Sequence, residues 1–191
     1  MRIISGTAKG KKIFTPVDKK TRPLKDMVRE SIFNIISHSN LLGSKFEQSI
    51  ILDLFSGVGS FGLEAISRGA KKVIFFEDYK PAIELLIKNI NILSFNKQAE
   101  IINKNIYNQN NFKELNSKFD IVFLDPPFKD NNIKIILDSF ANAKILKPKT
   151  LIIIHRHKKT KDNLDIKFKT VREEIYGSSK VIFGFFIFWE F

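Results

Sequence analysis

Residues 50–62 read IILDLFSGVGSFG, and this stretch decides the fold. Its first part, 50–55, is a short apolar run typical of a buried strand, and 63–69 has the spacing of a helix closed by glycine. A glycine-rich turn between strand and helix lets backbone approach a ligand closely, and the helix N-terminus offers unpaired N–H groups. We therefore predict a cradle for a nucleotide-containing cofactor, with contacts from Phe55, Ser56, Gly57 and Gly59.

Carboxylates mark this strand and the next one. The apolar run 72–76 ends in Glu77 and Asp78, where a carboxylate is placed to accept hydrogen bonds from ribose hydroxyls. Asp53 lies inside the first strand, where its carboxylate could face a cationic ligand such as a sulfonium but would repel a pyrophosphate. These positions are added to the predicted cofactor site.

A later strand, 119–124, runs directly into Asp125-Pro126-Pro127-Phe128. Neither proline can donate a ladder hydrogen bond and both have φ fixed at about −65°, so the backbone must leave the sheet as a stiff loop. Asp125 and the Pro126 carbonyl can accept the two N–H bonds of an exocyclic amine on a planar base, and Phe128 can stack on the ring. A rigid turn at a strand end is the alternative interpretation.

Gly57, Gly59 and Gly62 also fit the pattern G-x-G-x-x-G, so a nicotinamide-dependent dehydrogenase has to be considered. A hydride transferase has no obvious need for an amine-binding loop, and Asp53 would repel a pyrophosphate. Taken together, these features favour S-adenosylmethionine as the cofactor.

The composition indicates one domain over 1–191, with a basic N-terminal extension at about 1–45. The chain has no cysteine and only three histidines, which excludes a disulfide framework and argues against a metal site. No signal pattern follows Met1, and no apolar run is long enough to span a bilayer. We expect a soluble, cytoplasmic monomer.

The formal net charge of +12 is concentrated in two segments. Residues 1–30 carry a net +6 and residues 144–161 a net +7, whereas the rest of the chain sums to −1. Such clustering indicates contact with nucleic acid phosphates, although a solvated charge run would look the same. We expect both segments on the face that carries the Asp125 loop. The candidate RNA-binding residues are Arg2, Lys11, Arg22, Lys25, Arg29 and Arg156.

Strands and helices alternate from residue 50 onward. We predict strands at about 50–55, 72–77, 99–103, 119–124 and 150–155, and helices near 61–68, 81–93, 109–115 and 131–143. Helical spacing also appears at 26–36, and a hairpin turn at 176–180. This pattern predicts an α/β fold with a mostly parallel sheet and helices on both faces.

Several motifs spread over nearly the whole chain occur together. They are Arg2-Ile3-Ile4-Ser5-Gly6 with Gly10-Lys11-Lys12, Thr21-Arg22-Pro23 with Val28-Arg29-Glu30 and Phe33-Asn34, Leu52-Asp53-Leu54-Phe55-Ser56-Gly57 with Gly59, Gly62-Leu63-Glu64-Ala65, and Asp125-Pro126-Pro127-Phe128. This combination resembles the bacterial guanine-N2 methyltransferases that modify 16S ribosomal RNA.

The resemblance implies a Rossmann-like class I methyltransferase fold, with a seven-stranded, mostly parallel sheet and an antiparallel last strand. It implies methyl transfer from S-adenosylmethionine to the N2 amine of a guanine in 16S ribosomal RNA during small-subunit assembly. The catalytic residues would be Asp125, Pro126, Pro127 and Phe128, and adenine would contact Asn105 and Ile106. The chain departs from the family pattern at Asn105, where an acid is frequent, and at His155, where a glutamate is often seen.

Two other functions remain open. Asp-Pro-Pro-aromatic loops also serve DNA adenine-N6 methyltransferases, although little of this chain is left for a target-recognition region. A non-catalytic RNA-binding assembly factor on the same scaffold is the second. For His155 and His157 we favour a plain strand end or a phosphate contact over a metal site.

Overall fold

The computed structural model describes residues 1–16, 24–42, 46–108, 110–115, 117–164 and 167–187. Its helices are α1 (Asp26–His38), α2 (Ser60–Ser67), α3 (Lys80–Leu93), α4 (Asn110–Lys113) and α5 (Ile133–Ala143). Its strands are β1 (Ile50–Leu54), β2 (Lys72–Phe76), β3 (Ala99–Ile102), β4 (Phe119–Leu124), β5 (Leu146–His157), β6 (Phe168–Tyr176) and β7 (Ser179–Phe186). A short 3-10 turn covers Phe46–Gln48.

The seven strands form one sheet in the order β3-β2-β1-β4-β5-β7-β6. The pairs among β1 to β5 are parallel, whereas β7 is antiparallel to both β5 and β6, so β7 alone is reversed. A tight turn at Gly177, with φ 61°, joins β6 to β7. The α/β class, the mostly parallel sheet and the antiparallel last strand are confirmed. The strand predicted at 150–155 begins earlier, at Leu146.

Helices cover both faces of the sheet, as predicted. Apolar side chains of α1, α2 and α3 pack on one face, where Phe61 stacks on Phe123 with ring centroids 4.0 Å apart. Side chains of α4 and α5 pack on the other, where Phe112 contacts Phe140 edge to face. Because the central strands are buried on both faces, they read as continuous apolar runs.

The strand order reverses at β1, which lies between β2 and β4. In register, Leu54 pairs with Phe76 on one side and with Leu124 on the other. The residues that follow these three strands therefore meet at one edge of the sheet, here called the carboxyl edge. Ligands of open parallel sheets bind at this position, outside the strand ends where the order reverses.

The N-terminal segment, 1–16, is held against α2 by a buried carboxylate. Glu64 accepts hydrogen bonds from the backbone N–H groups of Ile4 at 2.7 Å and Ser5 at 2.9 Å, and from Arg68 Nε at 2.8 Å. Asn89 on α3 fixes the far end of the segment by bonding both backbone polar groups of Phe14. The segment is thus an integral part of the packed structure.

Arg29 belongs to this network, so the prediction that it binds RNA is wrong. Its side chain is fully buried, lies 3.0 Å from Asp26 Oδ1 and 3.7 Å from Glu64 Oε2, and donates to the Arg2 carbonyl at 2.6 Å. Burial lowers the pKa of Arg29, while the Glu64 and Asp26 carboxylates oppose that shift. A guanidinium enclosed in this way has no access to a phosphate.

The second basic segment, 144–161, does not lie on a single face, so the expectation that both basic segments lie on the face of the Asp125 loop is wrong for its first part. The start of β5 lies at the opposite end of the sheet, here called the amino edge, where Lys147 Nζ contacts Asp120 Oδ1 at 2.6 Å. β5 is twelve residues long and ends at His157, beside the cavity described below. Residues 144–149 therefore lie away from the Asp125 loop, and only the last part of this segment, from His155 onward, is near it. None of the helices in the described ranges has the length and hydropathy needed to cross a bilayer.

Candidate active site

A cavity of about 590 Å³ opens at the carboxyl edge, within the size range of small-molecule sites. Predicted residues that line it are Phe55, Ser56, Gly57, Glu77, Asp78, Ile106, Asp125, Pro126, Pro127, Phe128 and Lys25. The cavity is also lined by residues that the sequence analysis did not single out for it, among them Val58, Tyr79, Tyr107, Lys129, Asp130 and His155. The predicted cofactor cradle and the predicted amine-binding loop thus share one space.

The glycine loop follows β1 and has three residues in the left-handed region. Phe55 has φ 58°, Gly57 has φ 54° and Gly59 has φ 83°. A Cβ on Gly57 would meet no atom within 4 Å, so glycine is required there by the backbone conformation rather than by crowding. Gly59 is required for both reasons, since its Cβ would lie 2.4 Å from Leu86 Cδ1. A phenylalanine at positive φ is uncommon, and such strain is concentrated at functional sites.

Glu77 ties the end of β2 to this loop. Its Oε2 accepts the Gly57 N–H at 2.7 Å, and its Oε1 accepts the N–H groups of Asp78 at 3.0 Å and Tyr79 at 2.9 Å. The carboxylate is largely buried but lines the cavity. Each carboxylate oxygen has two acceptor positions, so Glu77 keeps one free position, on Oε2, for a ligand hydroxyl.

Asp53 lies beneath the cavity rather than in its wall. Its Oδ2 accepts the Gly62 N–H at 3.0 Å, in the first turn of α2. Burial raises the pKa of Asp53 well above its ordinary value, the nearby Asp125 and Glu77 carboxylates raise it further, and the Gly62 bond opposes the shift. Asp53 is therefore outside the residues that line the cavity, and its direct contact with a cationic ligand stays a prediction.

Ile106 and Tyr107 form the wall next to β3. The Tyr107 ring packs against Phe55 with centroids 5.9 Å apart, and its hydroxyl bonds the Asp130 carboxylate. Asn105 is exposed and does not line the cavity; its Oδ1 accepts the Tyr107 N–H at 2.8 Å. The side chain predicted to contact adenine instead stabilises the turn that places its two neighbours.

The Asp125 loop is held by β5. Arg156 is fully buried and donates to the Pro127 carbonyl at 3.1 Å and to the Asp130 carbonyl, while Nη2 lies 2.9 Å from Asp162 Oδ1. The prediction that Arg156 binds RNA is wrong, because this guanidinium is buried and its donors are taken by the two loop carbonyls and by Asp162. No sequence signal distinguished it from its exposed lysine neighbours.

Two histidines of β5 contact the residues of this loop. His155 Nδ1 lies 2.7 Å from Asp125 Oδ1, and the Phe128 ring meets the rings of His155 and His157 edge to face at 5.7 and 5.4 Å. Both histidines are therefore more than a plain strand end. Their alternation along the strand, which places positions 155 and 157 on one face, was the available signal.

The loop leaves two acceptors available at the cavity. Among the described residues, neither Asp125 Oδ2 nor the Pro126 carbonyl oxygen has a hydrogen-bond donor. A pair of acceptors beside an aromatic ring suits a planar base that carries an exocyclic amine. No cluster of metal-ligating side chains occurs in the part of the chain that the structure describes.

The remaining RNA-binding candidates differ in position. Lys25 is exposed and lines the cavity, just before α1. Arg2 and Lys11 are exposed on the N-terminal segment away from the cavity wall, and their RNA contacts stay predictions. Arg22 lies outside the described residues.

Comparisons with known proteins agree with this geometry. The family model described as "Conserved hypothetical protein 95" matches residues 1–185. The "Ribosomal RNA small subunit methyltransferase D" of Haemophilus influenzae is 37% identical over 159 residues, which cover 83% of this chain and 79% of that protein.

Two solved structures have the same fold along nearly their whole length. "Putative methyltransferase yhhF from Escherichia coli" superposes with a TM-score of 0.79 at 26% identity and covers 97% of each chain. A "putative methylase" from Haemophilus influenzae gives a TM-score of 0.75 at 32% identity, over 97% of this chain and 98% of that one.

Proposed function

The chain belongs to the conserved hypothetical protein 95 family, and from this premise we propose that it methylates the exocyclic N2 amine of a guanine in 16S ribosomal RNA. The methyl donor is S-adenosylmethionine, and the reaction accompanies assembly of the small ribosomal subunit. The observation that carries the proposal is the shared cavity, which brings the glycine loop within the same space as the Asp125 loop. Relatives named as ribosomal RNA methyltransferases support the choice of substrate.

The residues around the cavity fit the cofactor. Gly57 leaves open space where a side chain would stand, Glu77 Oε2 offers an acceptor for a ribose hydroxyl, and Ile106 provides an apolar surface for a flat ring. Asp78 and Tyr79 complete this wall. When bound, S-adenosylmethionine supplies an electrophilic methyl group, so the protein has more to gain from alignment than from new charge stabilisation.

The Asp125 loop performs that alignment. The guanine N2 lone pair is delocalised into the ring and is a weak nucleophile. Hydrogen bonds from N2 to Asp125 Oδ2 and the Pro126 carbonyl favour the pyramidal amine and direct its lone pair. Asp125 can take the proton late, because an ordinary carboxylate is too weak a base to remove it first.

Phe128 receives the target base. A guanine must leave its stack to reach the cavity, and an aromatic ring replaces part of the lost stacking energy. The edge-to-face contacts with His155 and His157 hold that ring at the mouth of the cavity. Exposed Lys25 and Lys129 in the cavity wall would meet neighbouring phosphates.

Analysis of ribosomal RNA from a deletion strain tests the proposal. Mass spectrometry should show the loss of one N2-methylguanosine from 16S RNA, restored by the wild-type gene and not by Asp125→Ala. Unchanged 16S RNA together with loss of N6-methyladenine from DNA would instead support the adenine methyltransferase. Restoration by Asp125→Ala would support the non-catalytic assembly factor.

A further inference from the structure

His155 is the residue that contacts the reactive carboxylate most directly. Its Nδ1 lies 2.7 Å from Asp125 Oδ1, and both side chains line the cavity. From the sequence, His155 is expected to be a strand end or a phosphate contact and nothing more. Its side chain is only 7% exposed, so His155 is poorly placed to contact an RNA phosphate.

The sheet gives this histidine a rigid position. His155 follows Ile154, which pairs with Leu124 of β4, and it pairs in turn with Val181 of the reversed strand β7. The neighbouring Arg156 fixes the Pro127 and Asp130 carbonyls of the same loop. The histidine and the loop that carries Asp125 are therefore both anchored to the paired strands β4 and β5.

The direction of the hydrogen bond follows from the acceptor. An ionised carboxylate can only accept, so a hydrogen bond to it requires the tautomer that carries its proton on Nδ1. The other ring nitrogen, Nε2, is buried and has no hydrogen-bond partner among the described residues. Leaving a buried polar atom unpaired is unfavourable, so the ring is a poor choice for stability alone. What it supplies is a donor aimed at Asp125.

The Nδ1–H donor fixes the orientation of the Asp125 carboxylate toward the base. The terminal torsion of an aspartate is broad and roughly two-fold, so an unrestrained Asp125 could present either oxygen at several angles. Holding Oδ1 on the histidine leaves Oδ2 for the amine, beside the Pro126 carbonyl. An amine with two hydrogens requires two acceptors in a fixed relative position to become pyramidal in the right direction.

We propose that His155 is a positioning residue that fixes the Asp125 carboxylate through Nδ1–H, so that Oδ2 and the Pro126 carbonyl together orient the target amine. This inference rests on the proposed methyl transfer, which names the amine. It goes beyond that function because it assigns the orientation of Asp125 to a residue outside the Asp125 loop.

Three substitutions at one position separate positioning from packing. The asparagine side chain places its N–H₂ where histidine has Nδ1, glutamine places it nearer Nε2, and leucine has no donor. We expect His155→Leu and His155→Gln to lower kcat at least about tenfold, the loss of one orienting hydrogen bond, and His155→Asn to stay within about threefold of wild type. The KM for RNA and the Kd for S-adenosylmethionine should change little in all three. His38→Leu, the same chemical change at an exposed position of α1, is the matched control.

Wild-type turnover in His155→Leu would overturn the proposal. Equal losses in the asparagine and glutamine variants, in parallel with their melting temperatures, would also overturn it in favour of packing.

A second measurement does not depend on activity. The chain has three histidines, so ¹⁵N NMR can assign the ring of His155 in the intact protein. We expect Nδ1 to carry a proton in the wild type, and its signal to shift in Asp125→Ala. An unprotonated Nδ1 in the wild type would overturn the proposal. If the wild type methylates no ribosomal RNA, the proposed function fails while this readout still decides the hydrogen bond.

Discussion

Three carboxylates from three neighbouring strands meet around the cavity, and the bonds each one makes assign it a different task. Asp53 bonds the first turn of α2, Glu77 bonds the glycine loop, and Asp125 keeps one oxygen for a ligand. On the proposed function, Glu77 serves the cofactor and Asp125 the reaction, whereas Asp53 joins β1 to the first turn of α2.

Asp125 is predicted to serve the reaction and not the cofactor. Asp125→Ala should reduce methyl transfer below a tenth of wild-type turnover, a barrier increase above about 1.4 kcal/mol, because the amine loses its orienting acceptor. Affinity for S-adenosylmethionine, measured by calorimetry, should be nearly unchanged. Asp138→Ala, which removes an exposed carboxylate from α5, is the control. Turnover above a tenth would remove Asp125 from its proposed role.

Glu77 is predicted to serve the cofactor. Glu77→Ala should weaken S-adenosylmethionine binding by about 1–3 kcal/mol, since ribose hydroxyls lose an acceptor and Gly57 loses its anchor. Titration calorimetry of the wild type and the variant measures the difference. Binding of NAD by the wild type, with no binding of S-adenosylmethionine or S-adenosylhomocysteine, would contradict the assigned cofactor.

The raised pKa of Asp53 predicts that both the stability of the protein and the affinity for the cofactor depend on pH. Its folded-state pKa lies above its ordinary value of 3.8, so its contribution to stability is full below that value and is lost as pH rises through the folded-state pKa. A sulfonium nearby favours the ionised form, so binding should release up to about one proton and strengthen with rising pH. Denaturant unfolding from about pH 4 upward, and calorimetry in buffers of different ionisation enthalpy, measure these effects. The Asp53→Asn variant should show neither this pH dependence of stability nor the proton release on cofactor binding. Cofactor binding without proton release by the wild type would contradict the prediction for binding.

At the scale of elements, helix α2 connects the glycine loop to the N-terminal segment. Its N-terminal turn follows Gly59 and bonds Asp53, its middle residue Glu64 holds Ile4 and Ser5, and its last residue Ser67 accepts the Thr7 N–H. A buried charged network of this kind is sensitive to the loss of one member, because the partner charges stay buried.

Glu64→Ala should therefore destabilise the protein by about 3–5 kcal/mol, since the buried Arg29 guanidinium loses a counter-charge. Two backbone N–H groups lose their acceptor as well. Denaturant unfolding gives the change in free energy. Glu84→Ala, at an exposed position of α3, should change it by less than about 0.5 kcal/mol. A loss in Glu64→Ala as small as that of the control would show that the network contributes nothing.

At the scale of the whole molecule, the two edges of the sheet divide the positive charge. Lys129, Lys158 and Lys159 are exposed at the carboxyl edge, around the cavity mouth and the end of β5. Lys71, Lys144 and Lys149 are exposed at the amino edge, where β2 and β5 begin. On the proposed function, RNA that delivers a base to the cavity meets the first group, and the second group lies at the opposite end of the sheet.

Replacing the three carboxyl-edge lysines by alanine should weaken binding to 16S RNA. It should also lower the slope of log affinity against log salt concentration by about 2–3 units, because fewer phosphate contacts release fewer counterions. The matched triple variant at the amino edge should keep the wild-type slope. Filter binding over a series of salt concentrations measures both, and cofactor affinity should survive in each. Equal slopes for the two triple variants would show that the charge at the cavity mouth is only a solvated surface.

The sequence by itself determined the order of elements and the positions of the two loops. Strand and helix periods, the glycine turn at 56–59 and the proline pair at 126–127 are local signals, since backbone stiffness and apolar spacing act over a few residues. Because β1 and β4 each end in such a loop, a parallel sheet brings the two loops together, and the sequence was sufficient to predict one shared site.

Only the tertiary structure decided which charged side chains are buried. Arg29, Arg156 and His155 look like surface residues in the sequence, yet each is enclosed by partners from distant segments: Glu64, the Pro127 carbonyl and Asp125. Asn105 and Asp53 are likewise occupied by backbone N–H groups. Whether a polar group faces solvent, a ligand or the core depends on contacts across the sheet. Residue type and spacing along the chain do not encode those contacts.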